Sequence, residues 1–311
     1  MLAFPALFVA LLQCGFIDGF KVTGGLTVTL AMFSGRPDPT WTLQPKDTSY
    51  GPIKQSLDAL KTKYMYSARK MPSRLGYKGF LLRSRTNVIL IVGPESKKLQ
   101  LLLLKSIRKG VLPRGSIDDV KREINLGKVK ASTTAPASPA RGPKRGKRFE
   151  PLLGMWFGSL RTIMCNNCYN YANTLITDDF AQPGFGTGQL FGQMNGASVQ
   201  QAAVRDGLIA LNPQPGAAAP VPPAPVGARH LVALVVDPGT SQRLGDFHWY
   251  RLDQNGFWSH KPGSTFVTAE DNAGALITDP RRANMGHYRF VSFMYSDRTA
   301  VNIAGTLNCL Y

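Results

Sequence analysis

The sequence predicts an α+β protein with two domains. Between residues 20 and 124, patterns typical of a strand, a helix, two strands and a helix follow one another. After residue 149, a helix that carries Cys168 precedes residues with the pattern of an antiparallel sheet. Residues 125–148 separate the two parts, are rich in Ala, Ser, Thr and Pro, and contain seven Lys or Arg without one acid. Such a segment buries too little apolar surface to fold alone, so we predict a linker between domains 20–124 and 149–311.

The stretch 246–263, DFHWYRLDQNGFWSHKPG, predicts a β-hairpin. Two runs rich in aromatic residues flank Asn255-Gly256, and an Asn-Gly turn between such runs is a strong hairpin signal. The hairpin would carry His248 on its first strand and His260 near the end of its second. We therefore expect the two imidazole rings to lie side by side.

The other elements follow from hydrophobic periodicity and from Pro and Gly positions. Trp41 follows two prolines, which predicts a rigid loop pinned to the domain body by the indole. In the first domain the patterns predict strands over residues 20–32, 76–83 and 87–92, and helices over 50–66 and 99–107. In the second they predict a strand or helix over 152–164, a helix over 199–211, and strands over 230–237, 288–295 and 299–311.

The N-terminal residues 1–19 read as a secretory signal peptide, because residues 1–15 are apolar and uncharged and too short to span a membrane comfortably. No other segment reads as a membrane span, so we expect a secreted, extracellular protein. Cys14 would leave with the signal. The remaining Cys165, Cys168 and Cys309 predict one disulfide bridge and one spare thiol, or a bond to another chain.

The formal net charge of +18 predicts an anionic partner. Nucleic acid is not favoured, because no zinc-finger spacing or recognition-helix pattern accompanies the charge. The linker contains Arg145-Gly146-Lys147-Arg148, the pattern that secretory proprotein convertases recognise, which predicts processing after Arg148.

Three residues could form a catalytic site. A cysteine nucleophile needs a histidine to hold its proton and a polar group to orient that histidine. Cys168 at the start of a helix and His248 on a later strand fit the first two roles, with His260, Asp253 or Asp279 as the third. The alternative is structural: a disulfide from Cys168 to Cys165 or Cys309 would abolish the nucleophile.

Zinc and nucleotide cofactors are not expected. Cys165, Cys168, His248 and His260 are acceptable zinc ligands, but no further spacing supports a zinc site. The glycine-rich QPGFGTG lacks the Lys-Ser/Thr of a phosphate loop and does not fit the dinucleotide fingerprint.

Resemblances to known proteins add to these patterns. Cys168 followed by the His-Trp and Gly-x-Trp elements of the hairpin resembles a papain-type or transglutaminase-type core, which implies a Cys-His hydrolase or acyltransferase; here His260-Lys261-Pro262 replaces the usual Asp-Pro. The motifs CYNYA and HWYR…WSHKPG are also similar to those of uncharacterised secreted bacterial and animal proteins.

A resemblance to shell matrix proteins covers more of the chain. GRPDPTW, LGYKGF, CYNYANTLITDDFAQPG and DFHWYRLDQNGFWSHKPG together resemble the insoluble matrix shell proteins of bivalve molluscs. This resemblance implies a secreted protein built into a calcified extracellular matrix, with no established catalytic residues. A basic chain of this kind suits contact with calcium carbonate, acidic matrix macromolecules or sulfated polysaccharide.

Overall fold

Two antiparallel five-stranded sheets and seven α-helices form the part of the chain that the computed structural model describes: residues 20–22, 24–85, 87–133, 153–212, 214–216, 218–223 and 229–305. The predicted α+β class is confirmed. The predicted signal (1–19), most of the predicted linker with Arg148, and Cys309 lie outside the described residues.

The first sheet lies in the N-terminal half and has the strand order β2-β1-β4-β5-β3. In β1 the residues Leu26, Val28 and Leu30 are buried on one face, because alternate side chains of a strand point to the same side. Trp41 is buried as predicted, but in a strand, where its Nε1 donates to Ser106 Oγ (3.0 Å). The strands are β1 (Leu26–Ala31), β2 (Thr40–Leu43), β3 (Tyr66–Ser67), β4 (Gly79–Ser84) and β5 (Asn87–Ile91).

Three helices belong to this half: α1 (Tyr50–Asp58), α2 (Lys97–Lys105) and α3 (Arg114–Leu126), and α2 contacts the other two. Helix α3 was not predicted from the sequence; its buried residues Ser116, Val120 and Ile124 lie four residues apart, on one helix face. Gly127 ends α3 in the left-handed conformation (φ 63°). The ordered chain runs past the linker boundary predicted at 125, since Val129 is also buried.

The second sheet has the order β6-β10-β7-β8-β9. The predicted hairpin is confirmed, with Tyr250 opposite His260 and Leu252 opposite Trp258. The strand predicted over 299–311 is wrong in its described part, because β10 ends in a turn and residues 301–305 form no strand. The strands are β6 (Ile209–Ala210), β7 (Arg229–Asp237), β8 (Asp246–Leu252), β9 (Trp258–His260) and β10 (Arg289–Asp297); the helices are α4 (Leu153–Phe157), α5 (Leu160–Cys165), α6 (Cys168–Asn173) and α7 (Gly196–Arg205).

The two halves share packing. Ile163, Met164 and Cys165 of α5, together with Phe266, belong to the hydrophobic core of the first sheet. Helices α6 and α7 pack instead against the second sheet. The division into two domains stays a prediction. Within the described residues, no helix has the length and apolar character that crossing a membrane requires.

Candidate active site

Cys168 is the first residue of α6, and a reciprocal pair of side chains fixes the start of that helix. The Asn167 side chain accepts hydrogen bonds from the N–H groups of Tyr169 (2.9 Å) and Asn170 (3.1 Å). In return, Asn170 Oδ1 accepts from the N–H of Asn167 (3.0 Å). This capping box satisfies N–H groups that a helix start leaves without partners. The sequence predicted Cys168 at a helix start, and the structure confirms it.

The Cys168 thiol is free and fully buried against strand β8. Its Sγ lies 3.9 Å from the carbonyl oxygen of Phe247, and the N–H of Trp249 also faces it. These two residues flank His248 in the chain. Burial raises the pKa of the Cys168 thiol well above its usual value, and the negative charge of Asp246 acts in the same direction. The thiol is therefore protonated at neutral pH in this arrangement.

His248 and His260 are in direct contact, as the hairpin predicted. His248 Nε2 lies 2.8 Å from His260 Nδ1, and His260 Nε2 lies 2.9 Å from the carbonyl oxygen of Glu270. A carbonyl oxygen only accepts, so His260 Nε2 carries the hydrogen. In a neutral ring His260 Nδ1 is then an acceptor, and His248 Nε2 must donate to it. This assignment leaves a lone pair on His248 Nδ1, which is buried without a hydrogen-bond partner in the described part of the chain.

Both rings are neutral at pH 7. Burial lowers the pKa of His260 to about 4. Burial also lowers the pKa of His248 well below its usual value, and the neighbouring His260 and Lys78 lower it further. A neutral His248 with a free Nδ1 lone pair has the form of a general base.

Of the three candidates for an orienting group, His260 makes a hydrogen bond to His248. Of the two alternatives, Asp253 bonds Arg251 (3.3 Å), and Asp279 makes a bidentate pair with Arg281. Neither carboxylate makes a hydrogen bond to a histidine ring. The structure therefore brings His248 and His260 together. Cys168 packs instead with Phe247 and Trp249, whose side chains point to the opposite face of β8 from His248, and no hydrogen bond joins the thiol to His248 Nδ1.

Lys261 occupies the position after His260 and is fully buried. Its ammonium donates to the carbonyl oxygens of Ile163 (2.6 Å), Asn166 and Gly263 (2.6 Å). Burial lowers the pKa of Lys261 to about 7, whereas the three carbonyl acceptors favour the charged form. Lys261 thereby joins the end of α5 to the hairpin, directly before Cys168.

Sequence reasoning missed several residues around the thiol: Asn167, Gln182, Asp246 and Lys261. The spacing of Asn167 and Asn170 is a capping-box pattern that would have found the first. No local pattern marks the others, because their partners are far away in the chain.

Among the described residues, no group of three or more His, Cys, Asp or Glu side chains is placed to hold a metal ion.

Comparisons with known proteins give one strong match. The chain is 45% identical over 123 residues to insoluble matrix shell protein 1 of Ruditapes philippinarum. The match spans 40% of this chain and 73% of that protein. No protein-family profile matches the chain, and a comparison with solved structures found no match. The papain-like core stays a prediction.

Proposed function

The chain belongs to the insoluble matrix shell proteins, and we propose that it is a secreted structural component of a calcified shell matrix, held there by contact with polyanions or mineral. The distribution of charge carries this proposal. Residues 20–124 contain 20 Lys or Arg and 7 Asp or Glu, whereas residues 149–311 contain 10 and 11. The positive charge is thus concentrated in the N-terminal half and the linker.

Helix α2 and the turn after it present a defined basic surface, which we call the α2 patch: Lys97, Lys98, Lys105 and Lys109. All four side chains are exposed, and no acid lies between Glu95 and Asp118 in the sequence. No ion pair within the described residues involves any of the four. Unpaired surface ammonium groups are available to carbonate, sulfate or carboxylate groups.

The proposed partners are calcium carbonate, sulfated polysaccharide and acidic matrix macromolecules. Attraction between exposed charges is screened over a Debye length of about 8 Å at physiological ionic strength. Retention through the α2 patch should therefore fall steeply as salt is added.

The test measures retention of the full chain on calcite and on chondroitin sulfate beads over a salt gradient. We expect Lys97, Lys98, Lys105 and Lys109 changed together to Gln to elute at lower salt. A second variant changes Lys144, Arg145, Lys147 and Arg148 to Gln and measures the contribution of the linker. The matched control changes four exposed arginines of the C-terminal half to Gln: Arg205, Arg229, Arg282 and Arg298. Equal elution of all variants and the parent would refute polyanion contact.

A disulfide between Cys165 and Cys309 is part of the proposal. The Phe180 N–H donates to the Cys165 carbonyl oxygen (2.9 Å), and Gly305 packs against the carbonyl of Phe180. Only three residues lie between Gly305 and Cys309, and extended chain covers up to about 3.5 Å per residue. Cys168 is then the spare thiol. A non-reduced digest analysed by mass spectrometry should contain a Cys165–Cys309 peptide; a Cys168 bridge would contradict the assignment.

The second candidate function is a Cys-His hydrolase or acyltransferase, and the free Nδ1 lone pair of His248 favours it. In such a reaction the Cys168 thiol would give its proton to His248 Nδ1 while sulfur attacks an amide carbonyl carbon. The departing amine would take that proton, and water or a second amine would cleave the thioester. The raised pKa of Cys168 and the lowered pKa of His248 oppose this transfer while the site is closed.

This candidate predicts Cys168-dependent incorporation of a fluorescent primary amine into glutamine-rich protein, or hydrolysis of the same amide. Cys168→Ala and His248→Gln should each abolish the reaction. A signal that survives Cys168→Ala, or no signal from the parent protein, would exclude the enzyme.

A further inference from the structure

Side chains of the C-terminal half hold the main chain of residues 34–36. The carboxylate of Asp246 accepts hydrogen bonds from three successive N–H groups, those of Ser34 (2.6 Å), Gly35 (3.2 Å) and Arg36 (3.0 Å). Tyr288 also donates its hydroxyl to Asp246 (2.6 Å). One buried carboxylate thus satisfies three main-chain donors of a segment that belongs to no helix or strand.

The carbonyl oxygen of Gly35 is held from the opposite direction. It accepts hydrogen bonds from Asn167 Nδ2 (2.8 Å) and Gln182 Nε2 (2.7 Å), and both of these side chains are buried. These contacts and those of Asp246 involve only main-chain atoms of residues 34–36. They would therefore form with many different side chains.

Gly35 is the position at which this arrangement excludes other residue types. A Cβ atom there would lie 2.3 Å from the ring of Phe247. That ring is fully buried and packs edge-on against Phe191 (5.8 Å between centroids), so it cannot move aside cheaply. The next residue, Arg36, donates from Nη1 to the carbonyl oxygen of Gly245 (3.0 Å). The geometry accepts a glycine followed by an arginine.

We propose that Asp246, Asn167, Gln182 and Phe247 form a peptide-binding socket for a glycine-containing segment, and that residues 34–36 of the same chain occupy it. The socket adjoins the thiol, because Asn167 immediately precedes Cys168 and the Phe247 carbonyl oxygen lies 3.9 Å from Sγ. With the socket occupied, the Cys168 thiol beside it is fully buried. This inference goes beyond retention in the matrix and does not depend on the basic surface.

The test follows alkylation of Cys168 by iodoacetamide in the full chain, read by mass spectrometry. In Gly35→Ala the new Cβ should expel the segment and raise the alkylation rate by about tenfold or more, which corresponds to an opening made easier by about 1.4 kcal/mol. A synthetic peptide MFSGRP, copied from residues 32–37, should then restore protection, whereas MFSARP should not. Gly51→Ala is the matched control, because a Cβ at Gly51 meets no atom within 4 Å.

Protection of Cys168 in a folded Gly35→Ala protein would overturn the proposal, as would exposure that MFSGRP does not reverse. If Gly35→Ala does not fold, Gln182→Leu replaces it, since that change removes one donor to the Gly35 carbonyl and introduces no clash at Phe247. In that variant too, MFSGRP must slow alkylation more than MFSARP. Salt-dependent retention on calcite should stay unchanged in every socket variant. The retention test can therefore refute polyanion contact without bearing on the socket, and the reverse also holds.

Discussion

Acidification should destabilise the fold through His260. The ring has an ordinary pKa of 6.5 and, because it is buried, a folded-state pKa of about 4. Below pH 6.5 the unfolded chain binds a proton at this residue and the folded chain does not. Stability from the neutral ring is therefore complete above pH 6.5 and is lost as pH falls towards 4.

The magnitude follows from the size of the shift. Each pKa unit corresponds to about 1.4 kcal/mol, so His260 alone can remove about 3 kcal/mol by pH 4 and about 2 kcal/mol between pH 7 and pH 5. Buried carboxyls act in the opposite direction: burial raises the pKa of Asp38 to about 6 and raises that of Asp246. The effect of His260 must therefore be measured as a difference between variants.

The assay is urea unfolding at pH 7 and pH 5, followed by tryptophan fluorescence at constant ionic strength. Between pH 7 and pH 5 the free energy of unfolding should fall by about 2 kcal/mol less in His260→Gln than in the parent, because Gln does not titrate. His287→Gln is the matched control: the His287 side chain is 56% exposed, so folding removes little water from it. Identical pH dependence in His260→Gln and the parent would refute the neutral, buried pair.

Three further changes test the packing and the domain boundary. Asn167→Ala should lower the free energy of unfolding by about 2 kcal/mol, because it removes the cap of α6 and a donor to Gly35; an unchanged urea midpoint would contradict this. Lys261→Met should cost about 3 kcal/mol, because it leaves three buried carbonyl oxygens without a donor; a more stable variant would show that the ammonium costs more than it contributes. Trypsin should first cut the native protein between Arg141 and Arg148, where composition predicts a linker, and leave two resistant fragments on a gel; one resistant core across this region would place the boundary elsewhere.

Local patterns were sufficient for much of the fold. The Asn-Gly turn fixed the hairpin, and the hairpin alone brought His248 to His260, because both depend on residues close together in the chain. Helix α6 was also predictable, since its signals lie within a few residues. Helix α3 was not predicted, although its buried Val120 and Ile124 lie four residues apart, which is a helical spacing.

Long-range packing decided the rest. Nothing around Gly35 indicates that a carboxylate 211 residues away accepts its N–H group, or that the Phe247 ring leaves room only for glycine. The partners of Lys261 are likewise main-chain carbonyls, 95 to 98 residues away for two of the three, and main-chain atoms are the same at every position of a sequence. The candidate residues Cys168, His248 and His260 could thus be identified from the sequence. Their protonation states arise from burial, which only the tertiary structure determines.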